Sequence, residues 1–496
     1  MTPATSSQAV AQLAGLLGED CVRTERAQIA PLLVDHRGLY HGDAAALILP
    51  HTVDQVATAL AFCNAHRIGV VPQGGNTGYC GGATPDQSGS QVILSLSRLN
   101  RLRYVDPLNY SLTAEAGCVL ATVQRAAADV DRFFPLSLGS EGSCQIGGNL
   151  STNAGGTSVL RYGMMRDLVL GLEVVLADGR VLNNLTTLRK DNTGYDVKSL
   201  FLGAEGTLGI ITAATLKLFP AVGSVATAFV AVPSVQAAVE LLSLLRKHSG
   251  DRVSSFELMP RLAVDLAVRH LRNVVDPLPG QYEWYVLCEL TSPRADEPLD
   301  PVLEEVLARA HTDGLVQDAV IAQSGRDAAS FWFLRENIPR AQRLDGESLK
   351  HDISVPVAAL PQFVQQAAAW VSAHVPEGRL IAYGHVGDGN LHFNLNQDPL
   401  VAPAAFLARG ADVRRAIHDL VRDFGGSFSA EHGIGQLKVE ELERYAQPVE
   451  LELMRAIKRA FDPHGILNPG KVIRLNATPL PATDPPAVPA ARSAHP

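Results

Sequence analysis

Three glycine-rich segments between residues 71 and 211 constrain the fold of this chain more than any other feature. They read VPQGGNTGYCGG at 71–82, PLSLGSEGSCQIGGNLSTNAGGTSVLRYG at 135–163 and GAEGTLGII at 203–211. A glycine loop can present successive backbone N–H groups to a phosphate without interference from a Cβ atom. One such loop alone is weak evidence, because a tight turn explains it equally well. Three together predict a long, pyrophosphate-linked cofactor that lies between them.

The sequence around these loops predicts an N-terminal α+β domain that ends near residue 222. The first loop lacks the Lys-Ser/Thr pair of a P-loop and does not open a Rossmann helix with GxGxxG. A helical pattern precedes it, and short β-rich runs alternate with glycine loops from 91 to 220. We therefore expect a cofactor domain over 1–222.

The remainder of the chain changes character. Strands and amphipathic helices alternate from 223 to about 430, which predicts an α+β substrate domain, or cap, built on an antiparallel sheet. Residues 431–474 predict a helical segment that completes the active site and packs on the first domain. The Pro/Ala-rich stretch 475–496 is typical of a disordered tail.

Bulk composition excludes some classes of function. The formal net charge of -9, without a Lys/Arg cluster, argues against a nucleic-acid partner. Six scattered cysteines predict reduced thiols rather than a disulfide framework. Neither a signal peptide nor a segment long enough to span a membrane stands out, so we expect a cytoplasmic enzyme.

The stretch GHVGDGNLH at 384–392 carries two histidines, His385 and His392, on a predicted strand–turn–strand unit. A second glycine-rich stretch, GSFSAEHGIG, supplies Glu431 and His432. His385, His392 and Glu431 would form an N2O site suited to Zn2+ or Mn2+, with a position open for substrate. The alternative is that the histidines are partnered core residues without a metal. Asp388 is a fourth ligand or a turn former, and we favour the turn.

Three motifs in the first half resemble the flavin-binding domain of the vanillyl-alcohol oxidase/PCMH superfamily: PxGGNTG, GSxxIGGNxxTNAGG and GYDxxxLFxGAEGTLGIIT. The second half carries GHxGDGNLHxN, AEHGIGxxK and FDPxGILNPGKV, as in the D-2-hydroxyacid dehydrogenase branch. The resemblance covers nearly the whole chain. It implies a PCMH-type FAD-binding domain of two subdomains and FAD as the cofactor.

The resemblance also implies which residues contact FAD. Asn76 stands where members with covalently attached FAD have a histidine, so we expect dissociable, non-covalent FAD. The implied contacts are Pro72, Gly74, Gly75, Asn76, Thr77, Gly78, Gly139, Ser143, Gly148, Asn153, Gly209, Ile211 and Asn468.

A flavin beside an open metal site suits oxidation of an α-hydroxy acid. The Cα hydrogen would leave as hydride to flavin N5, the metal would polarise the hydroxyl, and a base would take its proton. The resemblance implies the same three metal ligands, and His432, next to one of them, is our candidate base. His385 would also contact the substrate.

Further residues are expected to bind the acid. Arg335 and Lys350 fall on substrate-binding positions of the resembled family, where they would meet carboxylates. Asn394 shares a strand face with His392 and could also reach the substrate, or could make only a strand-end hydrogen bond. Pro339 stands where many hydroxyglutarate-specific members have a hydroxyl residue, so a contact with the distal carboxylate is in doubt.

The resemblance therefore implies FAD-dependent oxidation of a D-2-hydroxy acid. We predict D-2-hydroxyglutarate, oxidised to 2-oxoglutarate, as the substrate, with D-lactate or another D-2-hydroxy acid as the alternative. The expected acceptor is electron-transfer flavoprotein or a quinone-linked carrier, since no NAD fingerprint is present. A homodimer is a further expectation. Three alternatives stay open: an oxidase that uses O2, a non-catalytic flavoprotein subunit, and a zinc hydrolase.

Overall fold

The structure, a computed structural model, describes residues 7–475 and has an α+β architecture. Within these residues it contains a four-stranded, a five-stranded and an eight-stranded sheet, together with a two-stranded ribbon. The predicted disordered tail lies, beyond residue 475, outside the described residues. All six cysteines are buried free thiols, as the sequence predicts.

The first subdomain is built on the four-stranded sheet. Its strands β2, β4 and β3 are parallel, and β1 pairs antiparallel with β2 at the edge. The Thr52 side chain accepts the Gln55 N–H and so caps the helix that crosses between two parallel strands. The elements are α1 (Ser7–Leu17), β1 (Val22–Arg23), α2 (Arg26–Ile29), β2 (Ala46–Ile48), α3 (Val53–His66), β3 (Val70–Gln73) and β4 (Val92–Ser95).

The second subdomain is an antiparallel sheet in the order β5-β6-β10-β8-β9. Its central strands are buried along almost their whole length, and helices cover one face. The elements are β5 (Leu102–Asp106), β6 (Ser111–Glu115), α4 (Leu120–Ala128), β7 (Arg132–Phe133), α5 (Ile146–Ser151), α6 (Val159–Tyr162), β8 (Val169–Val175), β9 (Val181–Asn184), β10 (Ile210–Lys217) and β11 (Phe219–Pro220).

The cap is the predicted antiparallel sheet, with eight strands and a hydrophobic core on each face. Successive side chains of the central strands point to opposite faces and so enter the two cores in turn. Both sets are apolar, which explains the long apolar runs in the sequence. The strands are β12 (Ser224–Val232), β13 (Val253–Pro260), β14 (Trp284–Ser292), β15 (Asp318–Ile321), β16 (Ser348–Leu349), β17 (Asp352–Ser354), β18 (Gly378–His385) and β19 (Asn390–Gln397). The helices are α7 (Val235–His248), α8 (Arg261–His270), α9 (Asp300–Thr312), α10 (Gly325–Glu336), α11 (Ile338–Asp345), α12 (Leu360–His374), α13 (Pro403–Ala408) and α14 (Gly410–Asp423).

The C-terminal segment contains two helices, α15 (Val439–Tyr445) and α16 (Pro448–Phe461), separated just before Pro448. A proline at a first helical position is favourable, whereas inside a helix it would remove a hydrogen bond. The chain then returns to the first subdomain, where the Asn468 N–H donates to the Val70 carbonyl at 2.8 Å. The segment therefore packs on the N-terminal layer.

Candidate active site

The three glycine-rich segments meet in one cleft of about 990 Å³, open solvent included. Residues 72–83 form one wall, residues 144–152 a second, and residues 205–211 a third. Nine of the residues predicted to contact a cofactor line this cleft: Pro72, Gly74, Gly75, Asn76, Thr77, Gly78, Gly148, Gly209 and Ile211.

The glycines of the cleft serve two purposes. A Cβ atom at Gly75 would overlap the Ser143 carbonyl oxygen, so this glycine lets two loops touch. Gly78 and Gly148 instead face open space, with no heavy atom within 4 Å of an added Cβ. Gly148 lies inside α5, where glycine costs about 0.5–1 kcal/mol relative to alanine. Packing within the protein does not explain Gly148, whereas a ligand that approaches the backbone does.

Four other predicted cofactor contacts, Gly139, Ser143, Asn153 and Asn468, do not line the cleft. The Ser143 carbonyl supports Gly75 from behind. Asn153 accepts the Arg166 N–H and its amide points to the Met164 sulfur. Asn468 donates to the Gly82 and Glu205 carbonyls. Ser143, Asn153 and Asn468 therefore support the cradle, and Gly139 is exposed.

Buried polar atoms without a partner fit the same cleft. Gln73 and Gln145 both line it, and the Oε1 atom of each lacks a hydrogen bond within residues 7–475. Asn76 is fixed by a hydrogen bond from its Nδ2 to the Val34 carbonyl at 2.8 Å. Unpaired buried acceptors are rare in native proteins and point to a missing donor. The cleft thus fits an elongated cofactor with phosphate and polar ring groups.

His385, His392 and Glu431 come together as predicted. Strands β18 and β19 flank the turn, and one ligand atom from each of the three residues lies within 4.8 Å of the others. His385 Nε2 is 3.8 Å from Glu431 Oε1. Two imidazoles and one carboxylate at this spacing fit a divalent cation such as Zn2+ or Mn2+. Asp388 has the turn role, because its carboxylate accepts the Asn390 N–H at 3.0 Å.

Glu257, which the sequence analysis missed, orients one of these ligands. Its Oε1 lies 2.6 Å from His385 Nδ1, which leaves Nε2 facing Glu431. Although burial opposes ionisation, the charges of Arg335 and His385 lower the pKa of Glu257 to about 2. A carboxylate behind a ligand histidine fixes the tautomer and the ring orientation.

Asp352, also missed, organises the loop that carries Glu431 and His432. Its Oδ2 accepts the backbone N–H groups of both residues at 2.9 Å and lies 3.4 Å from His432 Nδ1. Its Oδ1 accepts from Asn390 Nδ2 at 3.0 Å. The sequence offered one signal for Asp352. It lies two residues after Lys350, a predicted substrate-binding residue, on the strand that pairs with β19.

Arg335 lies in the same cluster, buried at the end of α10. Its Nε donates to Glu257 Oε2 at 2.8 Å. Its Nη2 forms an ion pair with the same oxygen at 2.7 Å, although it is not aligned for a second hydrogen bond. A guanidinium has five N–H donors, so others stay available for an incoming carboxylate.

Lys350 and Asn394 differ in availability. Lys350 has no hydrogen bond or ion pair in the described part of the chain. Asn394 is already engaged, because its Oδ1 accepts the His351 N–H and its Nδ2 donates to Gln342. These bonds favour the structural role for Asn394 over direct substrate binding. Pro339 is exposed in the first turn of α11.

His432 connects the cluster to the cleft. It lines the cleft, and its ring lies 4.7 Å from the ring of Tyr79 in the first glycine loop. Glu205 of the third loop accepts the N–H groups of Ile434 and Gly435 at 2.7 and 2.8 Å. The glycine-rich loops that form the cleft therefore pack directly on the loop that carries Glu431 and His432, called the histidine loop below.

Known protein families match both halves of the chain. Residues 44–184 match the FAD binding domain family, and residues 223–472 match the C-terminal domain of FAD linked oxidases. No helix between residues 7 and 475 is both long enough and apolar enough to cross a bilayer.

Individual proteins are similar over most of the chain. "Probable D-2-hydroxyglutarate dehydrogenase, mitochondrial" of Oryza sativa subsp. indica is 40% identical over 474 residues, covering 94% of this chain and 82% of the relative. The D-2-hydroxyglutarate–pyruvate transhydrogenase of Saccharomyces cerevisiae is 33% identical over 481 residues, covering 94% of each. The structure of p-cresol methylhydroxylase with substrate bound has a TM-score of 0.75 at 20% identity, covering 96% of this chain and 99% of that one. This structural likeness shows a shared PCMH-type fold.

Proposed function

Because this chain belongs to the FAD-linked oxidase family and is an FAD-dependent oxidoreductase, we propose that it oxidises a D-2-hydroxy acid to the 2-oxo acid. The names of its relatives support D-2-hydroxyglutarate as the substrate and 2-oxoglutarate as the product. D-lactate is the second candidate, since Pro339 offers no hydroxyl to a distal carboxylate.

The position of His432 carries this proposal. The residue lines the glycine cleft and directly follows Glu431 of the cation-binding group. A hydroxy acid held at that group would therefore face the cleft through the same imidazole. The hydride would leave toward a cofactor in the glycine cleft, and the hydroxyl proton would leave toward His432.

Bound FAD would accept the hydride from the substrate Cα. A divalent ion on His385, His392 and Glu431, Zn2+ in our proposal, would lower the pKa of the substrate hydroxyl. His432 then accepts the hydroxyl proton, and the Asp352 carboxylate stabilises the cation that results. Arg335 and Lys350 hold carboxylate oxygens.

Non-covalent attachment of FAD is part of the proposal. The Asn76 amide is not a nucleophile, and it already donates to the Val34 carbonyl. We propose electron-transfer flavoprotein or a quinone-linked carrier as the acceptor. The name of the yeast relative makes a 2-oxo acid such as pyruvate a second candidate. The homodimer and the cytoplasmic location stay predictions.

The alternatives fare differently. Family membership argues against the zinc hydrolase. A non-catalytic subunit has no need of the ligand group, the base and the unpaired arginine donor together. An oxidase is separated from a dehydrogenase by whether the reduced flavin reacts rapidly with O2.

Turnover with a redox dye tests the proposed function. We expect dye reduction with D-2-hydroxyglutarate or D-lactate, a matching amount of 2-oxo acid, and no activity with the L-isomers. Dye reduction by no 2-hydroxy acid, or equally by both isomers, would contradict the proposal.

The pH dependence of kcat/KM is expected to report Lys350. Lys350 keeps part of its surface exposed, yet desolvation by the surrounding protein, followed by the charges of Arg37 and Arg343, lowers its pKa to about 8. The ammonium is therefore present below pH 8 and is lost above it, so kcat/KM for an anionic substrate should fall as pH rises through about 8. Lys350→Gln should lower kcat/KM at pH 7 by about 10- to 100-fold.

Lys350→Arg is the matched control, because arginine keeps its charge across this range. Its activity should lack the fall near pH 8. A fall that persists unchanged in Lys350→Arg would exclude Lys350 as its source.

Glu205→Gln is expected to destabilise the fold. The carboxylate accepts two backbone N–H groups with its two oxygens, whereas an amide offers one oxygen and turns an NH2 group toward the other donor. The free energy of unfolding in urea should fall by about 1–3 kcal/mol. Glu452→Gln, at an exposed position, should change it by less than about 0.5 kcal/mol. Equal stability of the two variants would show that the two hydrogen bonds accepted by Glu205 do not stabilise the fold.

A further inference from the structure

Tyr383 has a position in the cluster that the proposed chemistry leaves unused. It lies on β18 two residues before His385, so the two side chains share one face of the cap sheet. Only 2% of its surface is exposed. Across the ladder it pairs with His392, and the two rings are 5.0 Å apart. The Tyr383 side chain is thus packed between ligand residues.

Arg335 fixes the ring from another side. Its guanidinium carbon lies 5.0 Å from the centre of the Tyr383 ring, and Glu257 holds the guanidinium in place. Aromatic rings and cations attract each other in this arrangement. Neither Tyr383 nor Arg335 can turn away without breaking these contacts.

The Tyr383 hydroxyl makes no hydrogen bond to any residue from 7 to 475. Buried tyrosine hydroxyls normally find a partner. Tyr285, on strand β14 of the same sheet, shows the usual case, because its oxygen accepts from Arg261 and donates to the Gly280 carbonyl at 3.4 Å. The Tyr383 ring is therefore buried, and its hydroxyl has no acceptor within the described protein.

The Arg335 guanidinium lies against the same ring. Its Nη2 is buried and forms an ion pair with Glu257 at 2.7 Å, without an aligned hydrogen bond in the described chain. His392 and Arg335 therefore contact the same ring, at 5.0 Å each. A carboxylate from outside the protein would supply an acceptor for the Tyr383 hydroxyl and for the Arg335 N–H groups that Glu257 leaves free.

We propose that the Tyr383 hydroxyl and the Arg335 guanidinium together bind the carboxylate next to the reacting carbon of the substrate. This inference rests on the proposed oxidation of a 2-hydroxy acid and names one more residue that touches the acid. The carboxylate at C1 is chosen because Tyr383 adjoins His385 and His392, where the C2 hydroxyl would be held. Every 2-hydroxy acid has this carboxylate, whereas only a dicarboxylic acid has a distal one.

The test is Tyr383→Phe, which removes one oxygen atom and keeps the ring. We expect kcat/KM to fall by about 10- to 100-fold, the size of a lost hydrogen bond to a charged group. The fall should be equal for D-2-hydroxyglutarate and D-lactate, because both carry the C1 carboxylate. Binding of 2-oxoglutarate, followed through the flavin spectrum, should weaken by a similar factor.

Tyr282→Phe is the matched control in the same domain. Its hydroxyl donates to Asp318 at 2.8 Å, remote from the cluster, so its loss should leave kcat/KM unchanged. Flavin content and melting temperature are measured for both variants, so that a folding defect is recognised. If Tyr383→Phe is unstable, the 2-oxoglutarate titration at low temperature still compares its affinity with that of the wild type.

Unchanged kcat/KM in Tyr383→Phe would overturn the assignment. A fall confined to D-2-hydroxyglutarate would also overturn it, because the hydroxyl would then contact the distal carboxylate. A wild-type protein that no 2-hydroxy acid reduces would instead defeat the proposed function itself, and the Tyr383 assignment with it.

Discussion

Glutamine at position 431 is expected to slow flavin reduction by the D-2-hydroxy acid by about 1,000-fold and to lower the amount of bound zinc. Glu431 supplies the one negative charge of the ligand group, and a neutral amide binds a divalent cation weakly. Losing the Lewis acid removes several kcal/mol of charge stabilisation, which corresponds to about this factor. Stopped-flow absorbance and elemental analysis of the metal measure the two effects.

The substitution leaves the local structure intact. Glu431 Oε1 accepts the Gly156 N–H at 2.9 Å, and the oxygen of a glutamine can do the same. Glu440→Gln is the matched control, since its carboxylate is 77% exposed and pairs with Arg474 at the surface. Wild-type rates and zinc content in Glu431→Gln would remove the metal site from the mechanism.

Asparagine at position 432 is expected to lower the same rate by about 100- to 10,000-fold, the usual contribution of a general base. The imidazole lies 3.4 Å from Asp352, which would stabilise its protonated form. The backbone N–H of residue 432 keeps its bond to Asp352 in the variant, so the loop should hold its shape.

Flavin and zinc should both be retained in His432→Asn, in contrast to Glu431→Gln. His374→Asn, at an exposed position on α12, controls for the loss of a histidine. A near-normal rate in His432→Asn would mean that the proton goes to another group.

Sequence reasoning succeeded where the signal is local. Glycine is needed where another loop or a ligand approaches the backbone closely, as at Gly75 and Gly148. Such glycines cluster within about a dozen residues, so the sequence shows them directly. The strand–turn–strand around His385 and His392 was readable for the same reason. The family resemblance then supplied the cofactor, which no spacing of residues can name.

The rest of the site could not be read because its residues are distant in sequence. Glu257 is 128 residues from the histidine that it orients. Asp352 is 79 and 80 residues from the two N–H groups that it accepts. The pairing of β13 with β18 brings Glu257 to His385, and the bridge between Ser354 and Ser427 brings the histidine loop to Asp352. A lone carboxylate in a strand carries no local pattern.

Other differences arise from polar contacts that the sequence does not reveal. Asn394 has the periodicity of a substrate ligand, yet Gln342 and His351 occupy its amide. Asn153 belongs to the second glycine-rich segment and Asn468 to the C-terminal motif FDPxGILNPGKV, but both act behind the cleft. The predicted helical segment 431–474 contains two helices, of which the second begins at Pro448. In each case the local sequence pattern allowed two interpretations, and only the tertiary contacts distinguish them.

The most direct test of a flavin cleft and a metal group acting on one substrate is the flavin spectrum under anaerobic conditions. The purified protein is mixed with D-2-hydroxyglutarate or D-lactate before chelation, after chelation, and after zinc is returned. We predict bleaching of the bound flavin that chelation abolishes and zinc restores. Bleaching that survives complete removal of the metal, or a yellow protein that neither acid bleaches, would contradict this mechanism.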